Sequence, residues 1–134
     1  MIIGICGLIG SGKGTVADIL VEQGFTKVSF ADKLKDGVAT IFNWDRAMLE
    51  GDTDESRSWR EQEDVFWTAE TGRSITPRIV LQEFGTECMR QGFHNGVWVS
   101  LLKKYILDNP GYYVVPDVRF RNEQDMIRDL GGEI

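Results

Sequence analysis

The chain has 134 residues, of which 42% are apolar and 27% are charged, and its formal net charge is −6. That length and composition suit one globular domain with a hydrophobic core. The acidic balance argues against a broad basic surface for a nucleic acid polymer, and no signal peptide or membrane span is visible in the sequence.

The first fifteen residues predict a buried strand that runs into a phosphate-binding loop. An apolar strand is predicted over 2–6, and Gly7, Gly12 and Lys13 follow with the spacing G-x-x-x-x-G-K. Glycines let successive backbone N–H groups point at phosphate oxygens, and the helix predicted over 12–23 adds its positive N-terminal end. Lys13 supplies a cation for the β- and γ-phosphates. The predicted nucleotide-binding residues are Gly10, Ser11, Gly12, Lys13, Gly14 and Thr15.

The residue after the lysine departs from the usual loop. Gly14 stands where most such loops have serine or threonine, and Thr15 comes one position later, the form seen in adenylate-kinase-like nucleotide kinases. The hydroxyl that helps to hold Mg²⁺ in many loops is therefore absent at position 14. Two interpretations stay open: Thr15 contacts phosphate or Mg²⁺, or nucleotide oxygens and water hold the metal.

The next elements in chain order are a strand, a helix and an irregular segment. A strand is predicted over 27–30, and apolar residues at helical spacing predict a helix over 32–42. Residues 43–74 mix charges of both signs with tryptophans, which predicts a partly helical insertion beside the core. Trp44, Trp67 and, later in the chain, Trp98 could stack on a base, but core packing is the favoured interpretation.

Helices and one strand are predicted over the rest of the chain. Thr76 and Pro77 have the residue types of a helix cap and a first helical position, which begins a helix that runs to about residue 91. A helix over 96–107 with an apolar row at Val97, Leu101 and Tyr105 precedes a strand over 112–118, in which Pro116 must end or distort the pairing. The last helix is predicted over 122–130 with Asn122 as its cap.

Alternation of strands and helices predicts an α/β fold with a central parallel sheet, in a P-loop NTPase-type three-layer α/β/α arrangement. Residues 31–95 are the predicted acceptor-binding region of a single domain over 1–134. Residues 133–134 fall where a further strand would begin, so either the chain is a C-terminal truncation or the sheet lacks a last strand. Cys6 and Cys88 are expected to be buried, reduced thiols.

Polar, charged or glycine residues that could bind a ligand follow three predicted strands, at 7–15, 30–35 and 117–121. The carboxyl ends of parallel strands meet at one side of a sheet. Asp117 could hold Mg²⁺, and Arg119 could stabilise charge on a transferring phosphoryl group, with Arg121 as a weaker candidate. The ordinary alternative is an acidic turn residue followed by two solvated arginines.

Acceptor-binding candidates lie in two places. Lys33 and Lys35 could meet an acceptor phosphate beside Asp32, although a helix cap with two solvated lysines explains them equally well. In the Thr76 helix, Arg78, Gln82, Thr86 and Arg90 are each four residues apart and are expected on one face. Gln82 can read a base edge and Arg78 can bind an anion, whereas a solvated face is the usual explanation of such a stripe.

The chain resembles the bacteriophage deoxynucleoside monophosphate kinases. The resemblance rests on segments 7–15, 29–35, 76–78 and 81–87, on Trp98, and on 117–123. It implies transfer of the γ-phosphoryl group of ATP to a deoxynucleoside 5′-monophosphate with Mg²⁺. Lys13 would then bind donor phosphates, Arg78 and Gln82 would face the acceptor, and Arg119 would stabilise the transferring group.

The resemblance also implies small-molecule nucleotides as partners. It implies a cytoplasmic location, which is the host cytoplasm if the protein is phage-encoded. Whether the protein forms a homodimer stays open. Two other classes of function remain. One is another small-molecule kinase with this loop, of the dephospho-coenzyme A or gluconate type. The other is a nucleotide-binding module that transfers no phosphate.

Overall fold

A computed structural model describes residues 1–7 and 13–134, and for residues 13 and 14 it describes the backbone alone. Within these residues the chain divides into two compact units. The first, called the sheet unit, comprises Met1–Asp32 and Trp98–Ile134, and the second, called the helical unit, comprises Lys33–Val97. The helical unit covers nearly the same residues as the region 31–95, whose binding of an acceptor stays a prediction.

The sheet unit contains the parallel sheet that the sequence predicts. Strand β1 (Ile2–Cys6) pairs with β3 (Tyr113–Val118), and β3 pairs in turn with β2 (Thr26–Lys27), so the strand order is β1-β3-β2. β3 is the central strand, and Val114 and Val115 within it are completely buried. Both faces of such a strand are covered, which explains its nearly continuous apolar sequence.

The second strand is shorter than predicted, because the chain turns away from the ladder early. The Val28 N–H still donates to the Val114 carbonyl oxygen at 3.0 Å, but the N–H of Ser29 donates to the Asp32 carboxylate instead. That local hydrogen bond competes with strand pairing and starts the turn into helix α2 (Asp32–Phe42), whose limits agree with the prediction.

Pro116 distorts β3 as predicted. Gly4 lies opposite Val115 while Cys6 lies opposite Val118, so the register shifts across the proline, which has no N–H to donate. On its other side β1 forms an isolated parallel bridge between Ile3 and Glu133. Residue 133 therefore joins the sheet at the point where the sequence predicts a further strand.

Helices α1 (Lys13–Glu22), α7 (Val97–Asp108) and α8 (Arg121–Asp129) follow the predicted order. Val97, the first position of the predicted apolar row of α7, is buried as predicted, but the other two positions were wrong by one residue. Leu102 and Ile106 are in the core, whereas Leu101 and Tyr105 are each 37% exposed. One position rotates a helix face by about 100°, and apolar residues at 101, 102, 105 and 106 leave two faces nearly equal in hydrophobicity.

The start of α8 also differs from the prediction, which placed the cap at Asn122. The helix begins at Arg121 because Glu123 folds back and its Oε1 accepts the N–H groups of Arg119 and Phe120, at 2.8 and 2.9 Å. This is the glutamate half of a capping box. Further along, Gly4 lies so close to α8 that an added Cβ would stand 2.7 Å from Ile127 Cδ1, so glycine lets helix and strand approach.

The helical unit consists of short helices that begin at polar caps. They are α3 (Arg46–Glu50), α4 (Asp54–Arg60), α5 (Val65–Thr71) and α6 (Pro77–Glu83). Thr76 accepts from the Ile79 N–H with Pro77 in the first helical turn, as predicted. Val38, Leu49 and Leu81 form the buried centre of the unit, and Trp44 and Trp59 pack against it.

Helix α6 continues to Gln91 as the sequence predicts, but its winding changes. Phe84–Gln91 form a π-helix, in which hydrogen bonds run from residue i to i+5. Cys88 in this segment is exposed, and so is Cys6 at the end of β1, so the expectation of two buried thiols was wrong. Among the described residues, none of the helices combines the length and the apolar character that a membrane span requires.

Candidate functional site

The carboxyl end of the sheet unit brings together two residues from neighbouring strands. Asp117 lies near the end of β3, and Ser29 follows β2. The Ser29 hydroxyl donates to Asp117 Oδ2 at 2.5 Å and accepts the Ala31 N–H at 3.2 Å. This contact confirms the expectation that these two strand ends meet.

The second oxygen of the Asp117 carboxylate has no partner in the described part of the chain. Asp117 Oδ1 has almost no solvent contact and accepts no hydrogen bond there. A buried carboxylate oxygen without a donor is energetically costly, and such atoms are rare in folded proteins. Because Mg²⁺ prefers carboxylate and water oxygens, this atom suits one position in its coordination shell.

Further ligands of the metal would be nucleotide oxygens, water or Thr15 rather than a cluster of protein carboxylates. Among residues 1–7 and 13–134, no three His, Cys, Asp or Glu side chains come close enough together to hold a metal ion. Thr15, the other predicted metal ligand, lies exposed in the first turn of α1.

Two exposed arginines follow Asp117. The side chains of Arg119 and Arg121 are exposed, and within residues 1–7 and 13–134 neither guanidinium forms an ion pair. The backbone of Arg119 is held by Glu123, itself only 9% exposed. The site thus has a fixed main chain and exposed cationic side chains with no ion-pair partner in the described part of the chain, a combination that suits an anionic ligand.

Most of the predicted phosphate loop, including Gly10, Ser11 and Gly12, lies outside the described residues. The described chain resumes at Lys13, the first residue of α1, with Gly14 next to it. Helix α1 is thus described from Lys13 onward, and its predicted start at residue 12 lies outside the described residues.

In the helical unit, the predicted acceptor residues Arg78 and Gln82 both lie on α6 and are exposed. Arg78 pairs with Glu61, and the two side chains are 64% and 57% exposed. A pair so exposed contributes about 0–1 kcal/mol, so an anionic ligand could displace Glu61 at little cost.

The rest of the predicted stripe runs into the segment whose winding changes. Arg78 and Gln82 share a face of the α-helical part, and Thr86 and Arg90 lie in the π-helix. A spacing of four residues stays close to one turn in both windings, because an α-helix has about 3.6 residues per turn and a π-helix slightly more than that. That all four residues share one face stays a prediction.

Lys35 is engaged within the helical unit. Its Nζ lies 3.2 Å from the Glu50 carbonyl oxygen and 3.5 Å from Glu50 Oε1, and the side chain is 14% exposed. Arg46 joins Glu50 to Asp36 in the same network. Burial raises the pKa of Glu50, but the Arg46 hydrogen bond and the Lys35 charge outweigh it, so the net pKa lies below its ordinary value.

Asp32 and Lys33 complete the predicted acceptor group. The Asp32 carboxylate accepts the Ser29 N–H at 2.9 Å, so it stabilises the turn after β2. Lys33 is exposed at the start of α2.

The tryptophans of the helical unit form an aromatic cluster. Trp44 stacks on Phe42 with ring centroids 4.9 Å apart, and it meets Trp59 edge to face at 5.7 Å. Trp67 contacts Phe42 and Phe66. These contacts agree with the packing interpretation that the sequence favours for Trp44 and Trp67.

Sequence reasoning missed Ser29 and Glu123, the two residues that hold the site around Asp117. In the sequence Ser29 stands out only as part of the segment 29–35 on which the family resemblance rests. Its position beside the second predicted strand is the signal that places it at the same end of the sheet as Asp117. Glu123 stands three residues after Phe120, the spacing of a capping box. Placing the cap at Asn122 concealed that relation.

The described structure defines the class: an α/β protein with a parallel sheet and a carboxylate followed by exposed arginines after its central strand. Residues 47–134 match the family model described as deoxynucleotide monophosphate kinase. A protein of Acanthamoeba polyphaga mimivirus is provisionally named a deoxynucleotide monophosphate kinase. It is 33% identical over an alignment 145 residues long, gaps included, which covers 98% of this chain and 70% of that protein. The deoxynucleoside-5′-monophosphate kinase of Escherichia phage T5 is 43% identical over 56 residues, 41% of this chain and 22% of the phage protein.

The chain belongs to the deoxynucleotide monophosphate kinase family, a family of phosphotransferases. The resemblance found in the sequence is thereby confirmed at the level of the family.

Proposed function

We propose that the protein transfers the γ-phosphoryl group of ATP to a deoxynucleoside 5′-monophosphate. A phosphate oxygen of the acceptor forms a bond to the γ-phosphorus while the bond to the bridging oxygen of ADP breaks. The observation that carries the proposal is the Asp117 carboxylate, which Ser29 holds by one oxygen. Among the described residues its Oδ1 has no partner, and Arg119, two residues later, forms no ion pair. Family membership supports the same reaction.

The donor would be held at the start of α1. Backbone N–H groups of the loop that includes Gly10, Ser11, Gly12 and Gly14 would bind phosphate oxygens, and Lys13 would neutralise the β- and γ-phosphates. Asp117, with Thr15 as a second candidate, would hold Mg²⁺, which neutralises phosphate charge when bound. Arg119 would stabilise the charge that develops on the transferring group, with Arg121 beside it in sequence.

The acceptor would be bound by residues of the helical unit. Arg78 would exchange Glu61 for the acceptor phosphate, and Gln82 has both the donor and the acceptor that a base edge requires. Lys33, and Lys35 if it leaves Glu50, are further candidates for the acceptor phosphate, beside Asp32. This division assigns small soluble nucleotides, rather than a nucleic acid polymer, as the partners.

The test is release of ADP from ATP and Mg²⁺ against a panel of deoxynucleoside monophosphates, gluconate and dephospho-coenzyme A. We expect turnover with at least one deoxynucleotide and its loss in Lys13→Ala. The matched control is Lys103→Ala, because Lys103 is an exposed lysine of α7.

Each other result has a defined meaning. Turnover with gluconate or dephospho-coenzyme A alone would contradict the proposed acceptor while keeping phosphoryl transfer. ATP binding without turnover on any acceptor would identify a non-catalytic nucleotide-binding module.

A further inference from the structure

One hydroxyl links the turn after β2 to the carboxylate at the end of β3. A serine hydroxyl has a single proton, and here that proton lies between Ser29 Oγ and Asp117 Oδ2. A lone pair of the same oxygen accepts the Ala31 N–H. The hydroxyl therefore has one defined orientation, with its donor side toward Asp117.

The backbone of Ser29 is held as firmly as its side chain. Its N–H donates to Asp32 Oδ2 at 2.9 Å, and its carbonyl oxygen accepts the Asp32 N–H at 3.2 Å. The hydroxyl thus comes from a closed turn rather than from a free loop, so it can restrict the rotation of the Asp117 side chain.

The consequence for Asp117 is an asymmetric carboxylate. Oδ2 is bound by Ser29, and Oδ1 is buried without a partner in the described residues. A carboxylate that could rotate would share its donor between the two oxygens and expose either one. A carboxylate held on one oxygen presents the other in a constant direction, which is what a metal ligand requires.

We propose that Ser29 is a positioning residue, whose hydroxyl binds Asp117 Oδ2 and directs Oδ1 toward the divalent cation of the nucleotide complex. The inference rests on the proposed function in one respect, the assignment of the cation to Asp117. It goes further in naming which oxygen is the ligand and which residue selects it. Outer partners of this kind typically change metal affinity or activity by about 10- to 100-fold.

A purely structural role for Ser29 makes a different prediction. If the hydroxyl only joins the turn to β3, its removal lowers thermal stability and leaves cation binding by the folded protein unchanged. The experiment must therefore measure cation binding separately from both stability and turnover.

The first measurement is Mn²⁺ binding to the 134-residue chain in the presence of ADP, followed by electron paramagnetic resonance. We expect Ser29→Ala to weaken Mn²⁺ binding about 10- to 100-fold. Ser29→Thr, which keeps the hydroxyl, is expected to restore most of the affinity. Ser100→Ala, an exposed serine of α7, is the matched control and should bind as the original chain does.

The second measurement is a double-mutant cycle with Asp117→Asn. If Ser29 acts through the carboxylate, Ser29→Ala should change Mn²⁺ binding little once Asp117 is replaced, because coupled residues are not additive. Full additivity would overturn the proposal. So would an unchanged Mn²⁺ affinity in a folded Ser29→Ala protein, or an original chain with ADP that binds no Mn²⁺.

The two proposals fail in different ways. Loss of Mn²⁺ affinity in Ser29→Ala, without turnover on any acceptor in the original chain, would support the positioning role and contradict phosphoryl transfer. The opposite result is turnover in the original chain together with a Ser29→Ala protein whose Mn²⁺ binding and turnover are both unaltered. It would support phosphoryl transfer and contradict the positioning role of Ser29.

Discussion

The two units of the molecule treat their charged side chains differently. In the helical unit, Lys35, Arg46, Arg73 and Arg78 each contact a carboxylate. In the sheet unit, Arg119 and Arg121 form no ion pair with any described residue, and Asp117 keeps one oxygen without a partner. Cations that are paired internally serve mainly the fold, whereas groups left without partners at a strand end are the ones available to a ligand.

The ion pairs of the helical unit differ in how far they are exposed. Arg78 is paired, but its partner Glu61 is itself mostly exposed, so the pair is weak and can exchange. Lys35 is mostly buried beside Glu50 and would lose more by leaving it. Pairing alone therefore does not separate structural from functional residues; the exposure of the pair must be considered as well.

The largest expected effect is in the sheet unit. Arg119→Ala should lower kcat by about 10²–10³, the typical loss when one group that stabilises a transition state is removed. The thermal midpoint should stay unchanged, because the exposed guanidinium contacts no described carboxylate. Steady-state kinetics and a thermal melt test this, with Arg128→Ala, which replaces an exposed arginine of α8, as the control. Equal losses in both variants would mean that Arg119 has no specific role.

The second largest effect concerns Glu123, whose carboxylate holds the backbone of Arg119. Glu123→Ala removes the acceptor of two backbone N–H groups and should lower the free energy of unfolding by about 2–3 kcal/mol. It should also lower kcat, because the backbone of Arg119 loses its anchor. Urea denaturation measures the first effect, with the exposed Asp125→Ala as control. An unfolding free energy like that of the control would contradict the role given to Glu123.

A smaller effect is expected in the helical unit. Arg78→Ala should raise KM for the acceptor about 10- to 100-fold, as the loss of a charge-assisted hydrogen bond implies, with little change in kcat. Glu61→Gln should leave that KM unchanged or lower it, since it frees Arg78.

Arg73→Ala is the control for this comparison, because it breaks another exposed pair of the same unit, with Glu83. If Arg73→Ala raises KM as much as Arg78→Ala does, the helical unit responds to charge in general and Arg78 has no special part.

The smallest effect is on the pH dependence of stability. The pKa of Glu50 is lower in the folded chain than in the unfolded one, so the network stabilises the fold above the unfolded value of about 4.3. That contribution is lost as the pH falls through the folded pKa. Glu50→Gln should therefore show a shallower loss of unfolding free energy below pH of about 4.3. The difference should be under about 1 kcal/mol, because the Glu50 side chain is 37% exposed and solvent screens its interactions. Parallel curves for Glu50→Gln and the control Glu55→Gln would exclude the effect.

Local patterns in the sequence predicted the elements and several of their boundaries. The apolar run over 2–6, the Thr76–Pro77 cap and the distortion at Pro116 are confirmed, because each depends on residues close together in the chain. The family was also recognisable, since its motifs are contiguous segments. The roles of Lys13, Asp117, Arg119, Arg78 and Gln82 stay predictions until the kinetic tests are made.

Other features were decided only by tertiary structure. The sequence could not choose between the adjacent faces of α7, because packing on the sheet makes that choice. Nor could it show the contact between Ser29 and Asp117, which lie 88 residues apart and meet only when β2 pairs with β3. By itself the sequence determined the family and where most strands and helices form. Folding determined which side chains meet, because pairing and packing join residues whose separation along the chain contains no sign of their contact.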